Sequence, residues 1–157
     1  MSSIPILSYE EFTQTAPDVY ASLLSLGKAV DASGLEKKLT ELIKIRASQI
    51  NHCAFCLQFH IQIARKLGIS SEKIDLVAVW QEAGIFSARE KAALAWTEAL
   101  TSVSDGIPDD ALYAAMSEHF TQSELVFLSV AIASINQWNR IGVALCFNPP
   151  GLGQVAV

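Results

Sequence analysis

The sequence has few charged residues and no long hydrophobic run. Charged residues make up 17% of its 157 residues, whereas about 25% is usual in soluble proteins. Its longest mostly apolar stretch, residues 125–135, is far shorter than the roughly 20 residues that a membrane-spanning helix needs. Residues 1–11 contain no basic segment, long apolar core or small-residue cleavage site. We therefore expect neither a membrane span nor a signal peptide.

Positive charge is also scarce. The chain has 11 Lys and Arg against 16 Asp and Glu, a net charge of −5. Nucleic-acid-binding domains normally carry a basic face, so we expect no nucleic-acid partner. Hydrophobic residues make up 51% of the chain, enough to offset the entropy of ordering and to exclude a disordered chain. A surface with so little charge is typical of subunits that pack against copies of themselves, so we expect a homo-oligomer.

Cysteine is rare but unevenly placed. The three cysteines are Cys53, Cys56 and Cys146. An odd number, with two of them only three residues apart, does not indicate the disulfide framework of a secreted protein. In a reducing compartment such a pair is typical of redox-active or metal-binding sites, and we expect a cytoplasmic location. Cys146 has no partner motif and is expected to be an inert residue at a helix end.

The period-2 alternation that marks β-strands is nearly absent. Apolar residues recur at helical spacing instead, and capping-box sequences begin at Ser8, Ser87 and Thr121. The pattern predicts a helix after Ser8 and further helices over residues 17–29, 35–49, 53–67, 70–80, 87–101, 108–119 and 121–146. No repeat or linker divides the chain. We predict an all-α fold in a single domain over residues 1–157, with a core over about 20–147 and a loose tail over 148–157.

The most informative stretch surrounds the first two cysteines. Cys53 and Cys56 are three residues apart, so on a helix they share a face and their sulfurs can reach bonding distance. The start of a helix favours negative charge and lowers a thiol pKa from its free value of about 8.5. His60 lies one turn after Cys56 on the same face, and Glu41 lies on the preceding helix. Glu41 can orient the imidazole if the two helices pack side by side.

Such a group suits thiol redox chemistry. One thiolate attacks the O–O bond of a peroxide or an S–S bond, and the second cysteine resolves the product into a disulfide. The His60 and Glu41 side chains manage the protons, and an external dithiol reduces the pair again. The helix-start argument favours Cys53 as the more acidic thiol, and the sequence leaves open which cysteine attacks.

Other interpretations of the pair remain. Cys53 and Cys56 could bind zinc with His60 and either His52 or Glu41, although these ligands would be crowded on one helix. The two cysteines could also be small buried residues of the core. A third possibility is a non-catalytic module whose disulfide acts as a redox sensor or a partner-docking switch.

Two further groups of residues are expected to be structural. Large aromatic side chains expected in the core or at an interface are Trp80, Trp96 and Trp138. Polar residues that interrupt the last apolar helix, and are expected to tie helices or subunits together, are Asn136, Asn139 and Arg140.

The run from Glu41 to His60 resembles the core motif of the alkylhydroperoxidase D-like (AhpD-like) proteins of the carboxymuconolactone decarboxylase superfamily. That motif is a glutamate, a C-x-x-C pair twelve residues on, and a histidine four residues after the second cysteine. Residues 92–101 and 132–140 also resemble later helices of these proteins, so the resemblance extends over about residues 20–147.

The resemblance implies an all-helical fold that assembles into trimers or hexamers. It also implies a thiol-dependent antioxidant activity that reduces alkyl hydroperoxides, with no cofactor and no bound metal. By position, Cys56 matches the attacking cysteine, Cys53 the resolving one, and His60 with Glu41 the proton relay. An external dithiol of the lipoyl type is the implied reductant.

One position departs from the family pattern. The best-studied members carry a histidine directly before the second cysteine, and this chain has Phe55. One proton-transfer group is therefore missing, which lowers the peroxidase turnover that we expect. The lactone decarboxylases of the superfamily share the fold but do not use the cysteine pair, so their activity is disfavoured here.

Overall fold

The computed structural model describes residues 7–151. These residues form eight α-helices, and the described part of the chain contains no β-strand. The helices are α1 (Tyr9–Thr15), α2 (Pro17–Asp31), α3 (Lys37–Ile50), α4 (Ala54–Lys66), α5 (Ser71–Leu76), α6 (Ala88–Thr101), α7 (Asp110–His119) and α8 (Gln122–Ala144). Short 3₁₀ turns lie at Val77–Val79 and Val103–Asp105. The predicted all-α class is confirmed.

Local capping explains where several helices begin. At Ser8, Ser87 and Thr121 the side-chain hydroxyl accepts a hydrogen bond from the backbone N–H three residues on. The glutamate at that third position accepts one in return from the backbone N–H of the capping residue. Each such cap stabilises its helix by about 1 kcal/mol. Because these signals are local, the helix ends agree with the predicted ones to within two residues, except that the helix predicted over 70–80 finishes as a 3₁₀ turn.

Helix α3 lies at the centre of the fold and packs against α4, α6 and α8. Leu39 and Ile43 join a hydrophobic cluster with α6, α7 and α8. Leu42 and Ile45 join a second cluster with α4, α5 and α6. Each fully buried Leu or Ile side chain contributes about 1.5–3 kcal/mol relative to exposure. Because α3 is packed on opposite faces, Glu41 between these residues is carried into the interior, where it is fully buried.

A third cluster surrounds the cysteine pair. It brings together residues of α1, α2, α3, α4 and α8, and its aromatic members are Tyr9, Phe12, Tyr20, Phe55, Trp138 and Phe147. The core placement predicted for the tryptophans is confirmed for Trp80 and Trp96, which are buried. Trp138 is half-buried.

The predicted polar cluster ties the end of α3 to α8. The Asn51 amide donates to the side-chain oxygens of Asn136 and Asn139, each at 2.9 Å. Asn139 in turn donates to the Ser48 hydroxyl at 3.0 Å. Arg140 is exposed and donates to the Asn136 carbonyl at 3.0 Å. These bonds satisfy polar groups that would otherwise be costly to bury.

None of the helices formed by residues 7–151 is long and apolar enough to cross a membrane. Of the tail predicted to be loose, residues 152–157 lie outside the described residues. Within its described part, the Pro150 carbonyl accepts a hydrogen bond from the Gln62 amide of α4 at 3.2 Å.

Candidate active site

The connection from α3 to α4 is only three residues long and places the first cysteine. His52 adopts the left-handed conformation, with φ of 55°, which histidine tolerates better than most residues. The Cys53 N–H donates to the Ser48 carbonyl at 3.0 Å, and the His52 N–H donates to the Gln49 carbonyl at 3.3 Å. This pair of bonds is a Schellman motif, which ends a helix and turns the chain sharply. The next helix therefore begins directly at Cys53.

Cys53 and Cys56 are joined in a disulfide, with their Cα atoms 5.4 Å apart. Both side chains are buried. The helix predicted to start at residue 53 starts one residue later, so Cys53 is the N-cap of α4 and Cys56 is its third residue. The Cys53 sulfur accepts a hydrogen bond from the Cys56 N–H at 3.3 Å. A thiolate at either position would be stabilised by the free N–H groups and the dipole of the helix.

The inner side of the disulfide lies against α8. A Cβ atom added to Gly142 would lie 3.1 Å from the Cys53 sulfur and 3.6 Å from the Cys56 sulfur. The first distance is shorter than an ordinary van der Waals contact, so only glycine allows this approach without a shift. The Phe147 N–H donates to the Gly142 carbonyl at 3.0 Å, which directs Phe147 into the cluster around the disulfide.

Cys146 lies at the end of α8, as predicted. It is a free cysteine in the left-handed conformation, with φ of 56°. Its N–H donates to the Val143 carbonyl at 3.3 Å, so it occupies the turning position of a second Schellman motif.

Glu41 and His60 are in direct contact between α3 and α4. His60 Nδ1 lies 2.7 Å from Glu41 Oε2. Glu41 Oε1 lies 3.1 Å from the Lys44 ammonium and 3.4 Å from that of Lys37. The side-by-side packing of α3 and α4, on which the predicted pairing depended, is therefore present.

The surroundings keep Glu41 ionised and His60 neutral. Burial by itself raises the pKa of Glu41, but the hydrogen bond with His60 and the charges of Lys44 and Lys37 lower it to about 2. Burial lowers the pKa of His60 below its usual value, and this outweighs the opposite effect of Glu41. Because the carboxylate carries no proton, the hydrogen lies on Nδ1, and Nε2 has a free lone pair.

A cavity of about 130 Å³ opens beside the disulfide. Cys56, His60 and Lys44 line it, whereas Cys53 is not among its lining residues. Its other walls are mostly apolar, and the aromatic ones are Tyr9, Phe55, Phe59 and Trp138. One cysteine, one histidine and one lysine therefore share the lining of an apolar pocket of the size of a single ring.

Phe55, which replaces the histidine of the motif that this sequence resembles, forms part of an aromatic wall. Its ring stacks on Tyr9 with centroids 5.0 Å apart and on Phe59 at 6.1 Å. It also makes an edge contact with Phe147 at 5.4 Å. His52, the other histidine near the cysteine pair, does not replace the missing imidazole, because it is exposed and does not line the cavity.

Three residues of the site were missed by sequence reasoning. Lys44 stands three residues after Glu41, a spacing that places both on one helix face and that could have identified it. Gly142 interrupts an otherwise apolar helix, and a glycine there often marks a close approach. Tyr9 lies outside the predicted core, and nothing in its local sequence indicates its contact with Phe55.

The geometry gives no support to the zinc alternative. The two thiols of Cys53 and Cys56 are bonded to each other, and His60 Nδ1 is bonded to Glu41. Within residues 7–151, no three His, Cys, Asp or Glu side chains are grouped as metal ligands would be.

Comparison with known proteins gives consistent family assignments. The family model of the carboxymuconolactone decarboxylase family matches residues 17–99. The uncharacterized protein YdfG of Bacillus subtilis strain 168 is 37% identical over 135 residues, covering 85% of this chain and 91% of that protein.

Solved structures share the fold. A crystal structure of a protein of unknown function from Agrobacterium tumefaciens, for which an AhpD antioxidant defence role has been suggested, is 35% identical. It superposes with a TM-score of 0.86 over 90% of this chain and 97% of that chain. A variant of the debrominase Bmp8 in complex with 2,3,4-tribromopyrrole has a TM-score of 0.80 at 20% identity, over 88% of this chain and 74% of that chain. At this identity the likeness concerns the fold alone.

Proposed function

The chain belongs to the carboxymuconolactone decarboxylase family as an AhpD-like member, and from this premise we propose that it is a thiol-dependent peroxidase for organic hydroperoxides. The observation that carries the proposal is the disulfide-bonded pair beside a cavity that also contains His60, an imidazole held by a buried carboxylate. The antioxidant role suggested for the similar Agrobacterium tumefaciens protein supports it.

Cys56 is the attacking cysteine in this proposal. It lines the cavity, whereas Cys53 lies against Gly142 of α8. Its position as the third residue of α4 also lets unpaired N–H groups stabilise a thiolate. These points agree with the family position and outweigh the simpler argument for Cys53.

The first step moves one oxygen atom and one proton. The Cys56 thiol gives its proton to Nε2 of His60, and the thiolate attacks one peroxide oxygen. The O–O bond breaks, Cys56 is oxidised to the sulfenic acid, and the departing alkoxide takes the proton back from His60 to leave as an alcohol. Glu41 stabilises the imidazolium that forms between the two transfers.

The later steps regenerate the dithiol. Cys53 attacks the sulfenic sulfur of Cys56, a disulfide forms, and water leaves. An external dithiol, of the lipoyl type in this proposal, then supplies two electrons and two protons and is itself oxidised to a disulfide. We further propose a homo-oligomer, trimeric or hexameric, in the cytoplasm, where such a dithiol is kept reduced.

The cavity favours an organic peroxide over hydrogen peroxide. Its volume of about 130 Å³ is close to that of an engineered apolar cavity of about 150 Å³ that binds benzene. Transfer of an alkyl or aryl group from water to apolar walls is favourable, whereas hydrogen peroxide has no such group and gains little from binding there. We expect a higher kcat/KM with cumene or tert-butyl hydroperoxide than with hydrogen peroxide.

The test is peroxide consumption with dihydrolipoamide as the dithiol. Cys56→Ser should lose at least about a hundredfold in turnover, because it removes the nucleophile. Cys53→Ser should lose as much, because the sulfenic acid on Cys56 is no longer resolved into a disulfide. Cys146→Ser is the matched control, because Cys146 is a free cysteine that does not line the cavity, and it should retain activity. Full activity in both pair variants would refute the assignment.

A redox-sensing module is the second candidate, and Phe55 favours it. If the missing histidine stops catalysis, the pair would still form a disulfide on oxidation but would consume only one equivalent of peroxide per subunit. Sustained turnover above several equivalents excludes this candidate, and a single stoichiometric oxidation supports it.

A further inference from the structure

Lys44 is the one lysine or arginine among the described residues that line the cavity. Its side chain is 16% exposed, and its ammonium lies 3.1 Å from Glu41 Oε1. An ammonium has three N–H donors, and this contact uses one. A lysine with spare donor capacity is therefore one of the residues that line the pocket, together with Cys56 and His60.

We propose that Lys44 is a further functional residue of this site, whose ammonium stabilises the negative charge that forms first on the Cys56 sulfur and then on the departing oxygen. The effect on the departing oxygen rests on the proposed peroxidase function. The effect on the thiolate requires only the cysteine pair and the cavity. The role of Lys44 is electrostatic, so the proton still passes from Cys56 to His60 and on to the alkoxide.

The two lysines beside Glu41 differ in their surroundings. Lys37 does not line the cavity, and it has a second partner in Asp31 at 2.8 Å. Lys44 has Glu41 as its ion-pair partner and faces walls that are mostly apolar. In such surroundings a charge is less screened than at the surface, so its interaction with a nearby thiolate is stronger.

Few other ionisable groups face Cys56. Helix α4 contributes His60, α3 contributes Glu41 and Lys44, and α1 contributes Tyr9. The residues of α2 and α8 that line the cavity carry no titratable side chain. A change in the acidity of Cys56 on removing Lys44 can therefore be attributed to a short list of groups.

The test measures the reactivity of Cys56 directly and does not need a substrate. In a Cys53→Ser, Cys146→Ser background, Cys56 is the single thiol, and its rate of alkylation by iodoacetamide is followed against pH. Lys44→Met should raise the midpoint of this profile by about one pH unit and slow alkylation at pH 7 about tenfold, because one pKa unit is a tenfold change in the thiolate equilibrium. Lys44→Arg, which keeps the charge, should stay within about threefold of the parent.

Two comparisons separate this role from a purely structural one. Lys37→Met removes the other charge beside Glu41 from outside the cavity, and it should slow alkylation less than about threefold. Lys44→Gln is neutral but keeps a hydrogen-bond donor for Glu41, and it should slow alkylation as much as Lys44→Met does. If the Lys44→Met protein does not fold, Lys44→Gln serves as the test in its place. An equal effect of Lys37→Met and Lys44→Met, or no shift with Lys44→Gln, would overturn the proposal.

Peroxide turnover separates this inference from the proposed function. In the chain with all its cysteines, Lys44→Met should lower kcat/KM by more than it lowers alkylation, because the departing oxygen loses the same support. A shifted alkylation profile in a protein without peroxide turnover supports Lys44 and refutes the peroxidase. Peroxide turnover together with an unshifted alkylation profile supports the peroxidase function and refutes the proposed role of Lys44.

Discussion

Glu41 is a fully buried carboxylate whose ionisation depends on three neighbours on α3 and α4. Oε2 contacts His60, and Oε1 contacts Lys44 and Lys37. An isolated buried charge would be very costly, but these contacts make the ionised form the favoured one. The same contacts orient His60, so a single residue combines a structural role with the role in proton transfer that we propose for it.

The pH dependence of the free energy of unfolding should reflect the ionisation of Glu41. Its pKa is about 2 in the folded chain against 4.5 for an ordinary glutamate. A lowered pKa gives stability that is present above pH 4.5 and is lost as the pH falls from there toward 2. His60, whose pKa is also lowered, adds a loss that begins below its ordinary value of 6.5, because the unfolded chain takes up that proton first.

Glu41→Gln should remove most of the dependence of stability on pH below 4.5. At pH 7 we expect a loss of about 3 kcal/mol in the free energy of unfolding, because two lysines lose their buried partner. The difference from the parent should shrink at pH 3, where the parent itself has lost part of this stability. Urea unfolding at both pH values measures it, with Glu118→Gln, an exposed residue, as control. A constant difference across pH would contradict the expectation.

At the scale of elements, two turns of the same type assemble the cysteine site. A Schellman motif at the end of α3 places Cys53 at the start of α4, and another at the end of α8 directs Phe147 toward the disulfide. Between them, Gly142 lets α8 approach both sulfurs. The site is therefore a junction of helix ends, where small changes in one helix move the sulfurs of another.

Gly142→Ala should destabilise the oxidised protein more than the reduced one. Alanine favours a helix by about 1 kcal/mol over glycine, but here its Cβ would lie 3.1 Å from the Cys53 sulfur. Such overpacking costs about 1–3 kcal/mol. In the reduced protein the sulfurs are free to rotate apart, which relieves the contact.

Thermal unfolding of both redox states measures this difference. The matched control is Gly27→Ala, which adds the same methyl group inside α2, where nothing apart from the neighbouring backbone of the helix lies within 4 Å of the added Cβ. Gly27→Ala should be neutral or stabilising in both states. If the oxidised Gly142→Ala protein is as stable as its parent, α8 accommodates the methyl group with no loss of stability, and the prediction is wrong.

At the scale of the whole molecule, low charge accompanies several large hydrophobic side chains on the surface. Ile107 is 85% exposed, Val79 55% and Val126 54%. We expect self-association, and light scattering coupled to size exclusion should give a mass of three or six times the 17.0 kDa subunit. Because apolar contacts depend little on ionic strength, the mass should persist in high salt. A monomer at micromolar concentration would contradict the expectation.

Local patterns were sufficient for much of this molecule. The caps at Ser8, Ser87 and Thr121 and the apolar periodicity predicted the helices, because both act within a few residues along the chain. The spacing of Cys53, Cys56 and His60 predicted one shared helix face for the same reason. The contact of Glu41 with His60 was predicted only on the condition that α3 and α4 pack together.

The sequence by itself determined the all-α class, the helix ends and the dithiol motif, since each depends on interactions between near neighbours. Only the tertiary structure decided that Cys56 and not Cys53 lines the cavity, that Lys44 shares that cavity, and that Gly142 and Tyr9 reach the site from distant helices. The physical reason is that these contacts join segments far apart in the chain, and their geometry follows from how whole helices pack.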